Sequence, residues 1–207
     1  MEDEKLPRRQ EEKLAHRGQI LAAALDLFSH KGYHNVSMHE IAGKAEFAIG
    51  TLYKFFKNKE DLYKAMIMEQ CERFHGILDK AIDIPGDEVT KIKNYIKAKG
   101  EIFLNNTTMI RLYFAETRGA SFNIKAGLDA DIRKIYDEFL HKLASVFAAG
   151  IKKKLFKRIL DPYYLAVGID SLTNAFLFLS LEDPGRHPYR KNVEAIIKIF
   201  FNNVKVA

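Results

Sequence analysis

Apolar residues recur at three- and four-residue spacing along nearly the whole chain, and strict two-residue alternation is absent over any useful length. That pattern predicts helices and no strand. From about Glu11 to Lys31, the residues Ile20, Ala24, Leu27 and Phe28 share one face, and Gly32 ends the helix. The charged residues 1–12 are expected to fray. Ser37 and Glu40 have capping-box spacing, with Val36 and Ile41 at staple positions, so a short helix is expected from Met38 to about Ala45. A second short helix runs from about Ile49 to Phe56, with Leu52 and Phe56 inward. Asn58 is placed to cap a further helix reaching about Ile82, with Asp61 as a box-like acceptor. Pro85-Gly86 breaks the chain. More helices are expected at roughly 88–105, 107–118, 125–157, 161–181 and 189–204, separated by Gly119, Asp161-Pro162 and Asp183-Pro184-Gly185. The result is an all-α chain of about nine helices.

Composition narrows the class. The chain has 207 residues, 47% hydrophobic and 29% charged, which excludes wholesale disorder. Its length suits one domain, or a small domain joined to a larger one. One cysteine allows no intramolecular disulfide and no cysteine zinc cluster, and fits a reducing compartment. Met1 is followed by Glu-Asp-Glu-Lys, unlike a secretory start, and no run approaches the roughly 18 uninterrupted apolar residues of a membrane span. A cytoplasmic protein without a membrane partner is expected. The net charge of +6 permits a nucleic-acid partner. However, residues 1–64 hold 11 Lys/Arg against 10 Asp/Glu, so local arrangement must carry any such reading.

Residues 37–62, SMHEIAGKAEFAIGTLYKFFKNKEDL, hold two short helical patterns separated by three or four residues, the layout of a helix-turn-helix. Ala42 is small enough for a helix crossing. Ile41, Ala45, Phe47 and Leu52 supply a miniature core, which Leu21, Leu25 and Phe28 of the preceding helix would cover. The second helix then turns Ile49, Gly50, Thr51, Tyr53 and Lys54 outward. Gly50 lets a backbone approach closely, Thr51 and Tyr53 offer hydroxyls, and Lys54, Lys57 and Lys59 supply charge. Ser37 and Lys59 lie at helix N-termini, where N–H groups and the dipole favour phosphate. Three-helix units also occur in proteins that never touch DNA, and spacing alone leaves the two readings level.

At these residues the chain resembles the TetR family of transcriptional regulators. The family's pattern stands here as Ile41-Ala42, Ala45-Glu46-Phe47-Ala48, Gly50-Thr51-Leu52-Tyr53, Phe56 and Lys59-Glu60-Asp61-Leu62. Upstream, Ile20-Leu21, Ala23-Ala24, Leu27-Phe28 and Gly32-Tyr33 match the family's first helix. The resemblance covers roughly residues 14–62. It implies a helix-turn-helix DNA-binding domain over residues 1–58 and a larger helical effector-binding and dimerisation domain over 59–207. It also implies a palindromic double-stranded operator as partner, and repression as the default mode. Ser37, Thr51, Tyr53, Lys54 and Lys59 would hold phosphates, while Ala48, Ile49, Gly50 and His39 would face base edges. Ala48 and Ile49 have no hydrogen-bonding side chains, so thymine methyl contacts and DNA shape would carry base reading.

Two positions depart from the family pattern. Glu46 stands where the turn usually has Gly; if the site needs positive φ, the strain is about 1 kcal/mol. Ala48 stands where the recognition helix usually has a Ser cap, a loss of about 1 kcal/mol. These changes motivate a second reading, a helical small-molecule sensor or carrier whose head has lost DNA binding.

The resemblance further implies a homodimer through the last two helices. Leu165–Leu181 is apolar almost all round, with Gly168, Ser171 and Ala175 allowing close approach, and Ala195, Ile196, Ile199, Phe200 and Val204 form a second stripe. A small-molecule effector pocket is expected among the middle helices. Its candidate lining is Phe74, Phe103, Tyr113, Phe114, Phe139 and Phe176, which suits an apolar or aromatic ligand, although aromatics at helical spacing are more often plain core. Arg111, Glu116, Arg118 or Asp170 could fix a polar end. Residues 151–160 form a basic amphipathic run that reads as a solvated helix face before it reads as a surface for an acidic partner or membrane. Cys71 reads as packing rather than redox chemistry. The seven His residues lack metal spacing, no cofactor motif is present, and no nucleophile elbow or paired-carboxylate signature points to an enzyme.

Overall fold

The computed structural model describes residues 7–119, 122–204 and 206, with side chains described for all of these except 114–129 and 203. Among the described residues there are nine helices and no extended strand. They are α1 (Arg8–Lys31), α2 (Met38–Lys44), α3 (Ile49–Phe55), α4 (Lys59–Asp83), α5 (Glu88–Asn105), α6 (Thr107–Gly119), α7 (Phe122–Lys152), α8 (Pro162–Glu182) and α9 (Tyr189–Val204). Of the residues expected to fray, 1–6 lie outside the described residues, and those from Arg8 onward are helical. Pro7 begins α1, its carbonyl accepts from the N–H groups of Gln10 and Glu11, and Arg8 pairs with Glu12 across one turn.

The chain divides into two compact units, Met1–Gln70 with Thr108–Leu128, and Cys71–Thr107 with Asp129–Ala207. In the first unit Ile20, Ala24 and Phe28 of α1 are fully buried, as are Ile41 of α2, Leu52 of α3 and Leu62 of α4. These residues form the small core that the sequence spacing requires. Val36 and Ile41, the staple positions, are both buried.

The second unit is built on α5, α8 and α9, which contact one another. Ile92, Ile96, Leu143, Phe147, Ile169, Leu177 and Ile196 form part of its core. Gly100 is required here: a Cβ at that position would run into the ring of Tyr189, whose hydroxyl donates to the Ile96 carbonyl at 2.9 Å. At the start of α8, Asp161 accepts from the Tyr163 N–H at 2.8 Å, and Pro162 occupies the first helical position. α8 is long and apolar enough to cross a membrane by length and composition. Even so, it carries buried Asp170, Thr173 and Ser180, each hydrogen-bonded inside this unit.

α7 ends at Lys152, short of the expected 157. Lys154 takes φ +60°, and the N–H of Leu155 returns to the Gly150 carbonyl at 2.8 Å while that of Lys154 reaches Ile151 at 3.0 Å. This is a Schellman cap with a lysine in the left-handed position. Phe156 then folds back over Gly150, where any Cβ would collide with its ring. Residues 155–157 pair with the end of α9, through Lys157 N–H to the Val204 carbonyl and Val206 N–H to the Leu155 carbonyl. The basic run is therefore a helix end and a short extended segment rather than a helix face.

Candidate nucleic-acid interface

The turn between α2 and α3 repeats the same cap. Glu46 has φ +61°, the N–H of Phe47 returns to the Ala42 carbonyl at 2.9 Å, and that of Glu46 reaches Gly43 at 3.2 Å. The position does require the left-handed conformation, and an L-residue adopts it at a cost. His16 of α1 meets the Phe47 ring edge-on at 4.9 Å, which closes the turn from behind.

The two short helices are secured unequally. Ser37 Oγ accepts from the Glu40 N–H at 3.2 Å, and Glu40 Oε2 accepts from the Ser37 N–H at 2.9 Å, completing the reciprocal box. Lys31 donates to Glu40 at 2.7 Å; together with the Ser37 bonds this holds the Glu40 carboxyl down at about 2. Ala48, at the start of α3, makes no side-chain cap. At α4, Asp61 N–H donates to Asn58 Oδ1 at 2.8 Å, while Asp61 Oδ2 accepts from the N–H of Lys57 at 2.9 Å, one residue further back than expected.

The residues expected to face outward from α3 differ in exposure. Ala48 and Gly50 are exposed, Ile49 and Thr51 half-buried, Tyr53 half-exposed and Lys54 exposed. Gly50 has open space where a Cβ would sit, so packing does not require it to be glycine. Ser37, His39, Tyr53 and Lys59 line one shallow depression of about 490 Å³. Lys54 does not join them. It lines a separate groove of about 720 Å³ with Arg9, Lys13 and Phe55. Arg9 and Lys13 were not among the expected site residues. Their signal in the sequence was the four-residue spacing of basic side chains in the charged N-terminal stretch.

Two expected phosphate ligands are otherwise engaged. Lys59 Nζ donates to the carbonyls of Tyr33 and Val36 at 2.9 Å each and sits 4.5 Å from the Tyr33 ring centroid. Its ammonium ties α4 to the loop before α2, because that loop's carbonyls lack helical partners. Both donors of Ser37, its N–H and its hydroxyl, point at Glu40. A phosphate would have to draw them away.

Of the expected effector-lining residues, Phe74, Phe103, Phe139 and Phe176 all belong to or pack on the core of the second unit. Phe139 is buried and lies 5.5 Å from the Tyr95 ring. Tyr113 belongs to the other compact unit. The side chains of Phe114, Glu116 and Arg118 lie outside the described residues.

Asp170 is the polar centre of the second unit. It is buried, with Tyr95 and Lys99 donating to Oδ1, and Tyr136 and Asn174 donating to Oδ2 at 2.5 and 2.9 Å. Burial opposes its charge, but the Lys99 ammonium and the tyrosine hydroxyls outweigh burial and hold the carboxyl below its ordinary range. Burial and Asp170 together push the Tyr95 hydroxyl well up, so it remains a donor. Cys71 is half-buried; burial, and secondarily Glu72, raise its thiol to about 11, which disfavours the reactive thiolate.

Residues 20–66 match the family model described as bacterial regulatory proteins, tetR family. The chain is 30% identical over 146 residues to the HTH-type transcriptional regulator RutR of Escherichia coli (strain K12), covering 70% of this chain and 66% of that one. It is 25% identical over 143 residues to the fatty acid metabolism regulator protein of Bacillus subtilis, covering 69% and 72%. The structure of the regulator FadR from Bacillus subtilis in complex with stearoyl-CoA superposes with a TM-score of 0.73 at 21% identity, over 88% of this chain and 96% of that one.

Proposed function

Because the chain belongs to the TetR family of bacterial regulatory proteins, and so is a ligand-responsive helix-turn-helix transcriptional regulator, we propose that it is a cytoplasmic repressor that reads a palindromic operator as a homodimer. Residues 1–58 act as the reading head and 59–207 as the effector and dimerisation domain. The observation that carries this reading is the first turn of α3. Ala48 and Gly50 are exposed there and Ile49 is half-buried between them, and Thr51, Tyr53 and Lys54 stand beside them as donors. That surface fits a major groove read through methyl contacts and shape, with phosphates held at its edges. His39 lies on the rim near Tyr53.

Dimerisation through α8 and α9 is supported by an exposed stripe along α8. Tyr164, Gly168, Ser171, Ala175 and Leu179 recur every three or four residues and all face solvent. On α9 the expected apolar stripe divides: Ile196 and Val204 are buried in the protomer's own core, while Ile199 is half exposed.

The effector is an apolar or aromatic small molecule that lowers operator affinity. The four aromatic side chains gathered in the second unit support this, and a long-chain acyl-CoA is the first class to try, given the Bacillus subtilis relatives.

The test is selection of bound duplexes from a random pool at two salt concentrations. A palindrome with half-sites about 34–36 Å apart supports the dimeric reader. Weak, salt-sensitive binding without enrichment overturns it in favour of the helical carrier, which Glu46 and Ala48 motivate. With an operator in hand, saturating stearoyl-CoA and a panel of apolar compounds test release. Unchanged operator binding throughout counts against the effector.

A further inference from the structure

The near balance of charge in the first 64 residues, 11 Lys/Arg against 10 Asp/Glu, conceals an uneven distribution. Five of the ten cations described in this stretch are ion-paired. Arg8 meets Glu12, Arg17 meets Glu69, Lys31 meets Glu40, Lys44 meets Asp26, and Lys64 meets Glu60. Lys59 is held on backbone carbonyls. Among the described residues, the cations left over are Arg9, Lys13, Lys54 and Lys57. Three of these four converge on the groove of about 720 Å³ beside α3, with Arg17 at its inner end.

Helical spacing explains the convergence. Arg9, Lys13 and Arg17 fall four residues apart on α1, about 6 Å per step, so their side chains form a row. Gln10 and Leu14 lie beside them, and Phe55 and Lys54 form the facing wall. Glu11, two residues after Arg9, lies about 200° around the helix from it, on the opposite face. Leu14 is 54% exposed in this groove although it is a large apolar side chain. Cationic walls with an apolar floor fit a polyanion whose charges alternate with less polar rings, which is the make-up of a sugar-phosphate strand.

We propose that this groove holds the DNA backbone flanking the half-site, with Arg9 and Lys13 as phosphate ligands in addition to those of the helix-turn-helix. The inference rests on the DNA-reading function proposed above and extends its footprint outward from Lys54. It also relocates the head's electrostatic contribution from Lys59 and Ser37 to the first turns of α1.

The test uses the full chain and a duplex taken from the random-pool selection. Arg9→Ala/Lys13→Ala removes two exposed charges without touching the core, and thermal unfolding checks that the fold is kept. Lys44→Ala serves as a control that removes a paired charge outside the groove. On a duplex with long flanks, the double variant is expected to lower the slope of log affinity against log salt by about 2, so that wild type loses about tenfold more affinity than the variant between 50 and 200 mM salt. Lys44→Ala should keep the wild-type slope. Trimming the flanks to the half-sites should bring wild type down to the variant. If wild type binds the selected duplex while the double variant keeps its slope, or if trimming leaves the difference intact, the groove assignment is overturned and the function stands. If wild type enriches no duplex, both fall.

Discussion

Lys59 reaches back across 26 residues to set its ammonium 2.9 Å from the carbonyl oxygen of Tyr33 and 4.5 Å from the centre of that residue's ring. One side chain thereby fastens α4 to the loop that precedes the helix-turn-helix. Lys59→Ala should therefore act on stability before it acts on charge. Loss of two short bonds to a charged donor should destabilise the head by about 1.5–3 kcal/mol in denaturant unfolding. The salt slope of DNA binding should barely change. A slope lower by about 1 with stability intact would return Lys59 to the phosphate ligands.

Glu46 is held at φ +61° by the two backbone bonds of its turn. Replacement by Gly relieves the left-handed strain but adds chain entropy in the unfolded state, leaving a net gain of about 0.5–1 kcal/mol. It also removes a negative charge beside the proposed groove-facing surface. Glu46→Gly should raise the unfolding midpoint and tighten operator binding together. A lower midpoint would show that the carboxylate makes a contact worth more than the strain.

Gly50 offers a separation of fold from function. Nothing lies within 4 Å of where its Cβ would be, and its φ is not positive. Gly50→Ala should stabilise α3 by about 0.5–1 kcal/mol because alanine loses less freedom on entering a helix. Operator affinity should nonetheless fall several-fold, because the added methyl stands between backbone and duplex. Stronger unfolding resistance with undiminished affinity would remove Gly50 from the interface.

The helices themselves were readable in the sequence. The box at Ser37 and Glu40, the stop at Gly32 and the Asp161-Pro162 start each depend on residues within a few positions of one another, which is the range over which spacing is informative. Glu46 stands out for a different reason, because the family pattern has Gly at that turn, and its φ is +61°. Spacing failed at residues 153–157, where helical periodicity continues but Phe156 gains more by folding over Gly150 than by extending α7. Nor does spacing show that Lys59 is held on backbone carbonyls, or that Arg9 and Lys13 gather in one groove with Lys54. Which cations are paired depends on partners such as Glu69 for Arg17 and Asp26 for Lys44, and no local pattern encodes those distances.

Asp170 is buried with four donors on its two oxygens, and it could not be singled out in advance from Arg111, Glu116 and Arg118. Its carboxyl is held below the ordinary range, so its contribution is present above the unfolded carboxylate pKa near 4 and is lost as pH falls through the depressed folded value. Asp170→Asn leaves Lys99 without its counter-charge in a buried site and should cost about 3–5 kcal/mol. The double change Asp170→Asn/Lys99→Met should recover part of that loss. A single variant as stable as wild type at pH 7 would refute the pairing.

The stripe on α8 predicts its own disruption. Ala175→Arg places a long cation at the middle of an exposed run of small side chains. It should convert a dimer to a monomer in sedimentation equilibrium while leaving the helical signal unchanged. Operator binding should then weaken sharply, since two half-sites would no longer be engaged by one particle. A dimer that survives the substitution would move the interface elsewhere.

α2 and α3 have the same length, seven residues, but only α2 is closed at its start by side chains. Local opening is governed by such differences. The amide of Thr51, which has no side-chain cap beside its bond to the Ala48 carbonyl, should exchange with solvent deuterium sooner than that of Glu40, which the Ser37 hydroxyl accepts. On this ground α3 is expected to open more readily than α2. Duplex binding should slow exchange most where the free protein is least protected, so the cost of firming one turn of helix is deducted from the affinity for any sequence.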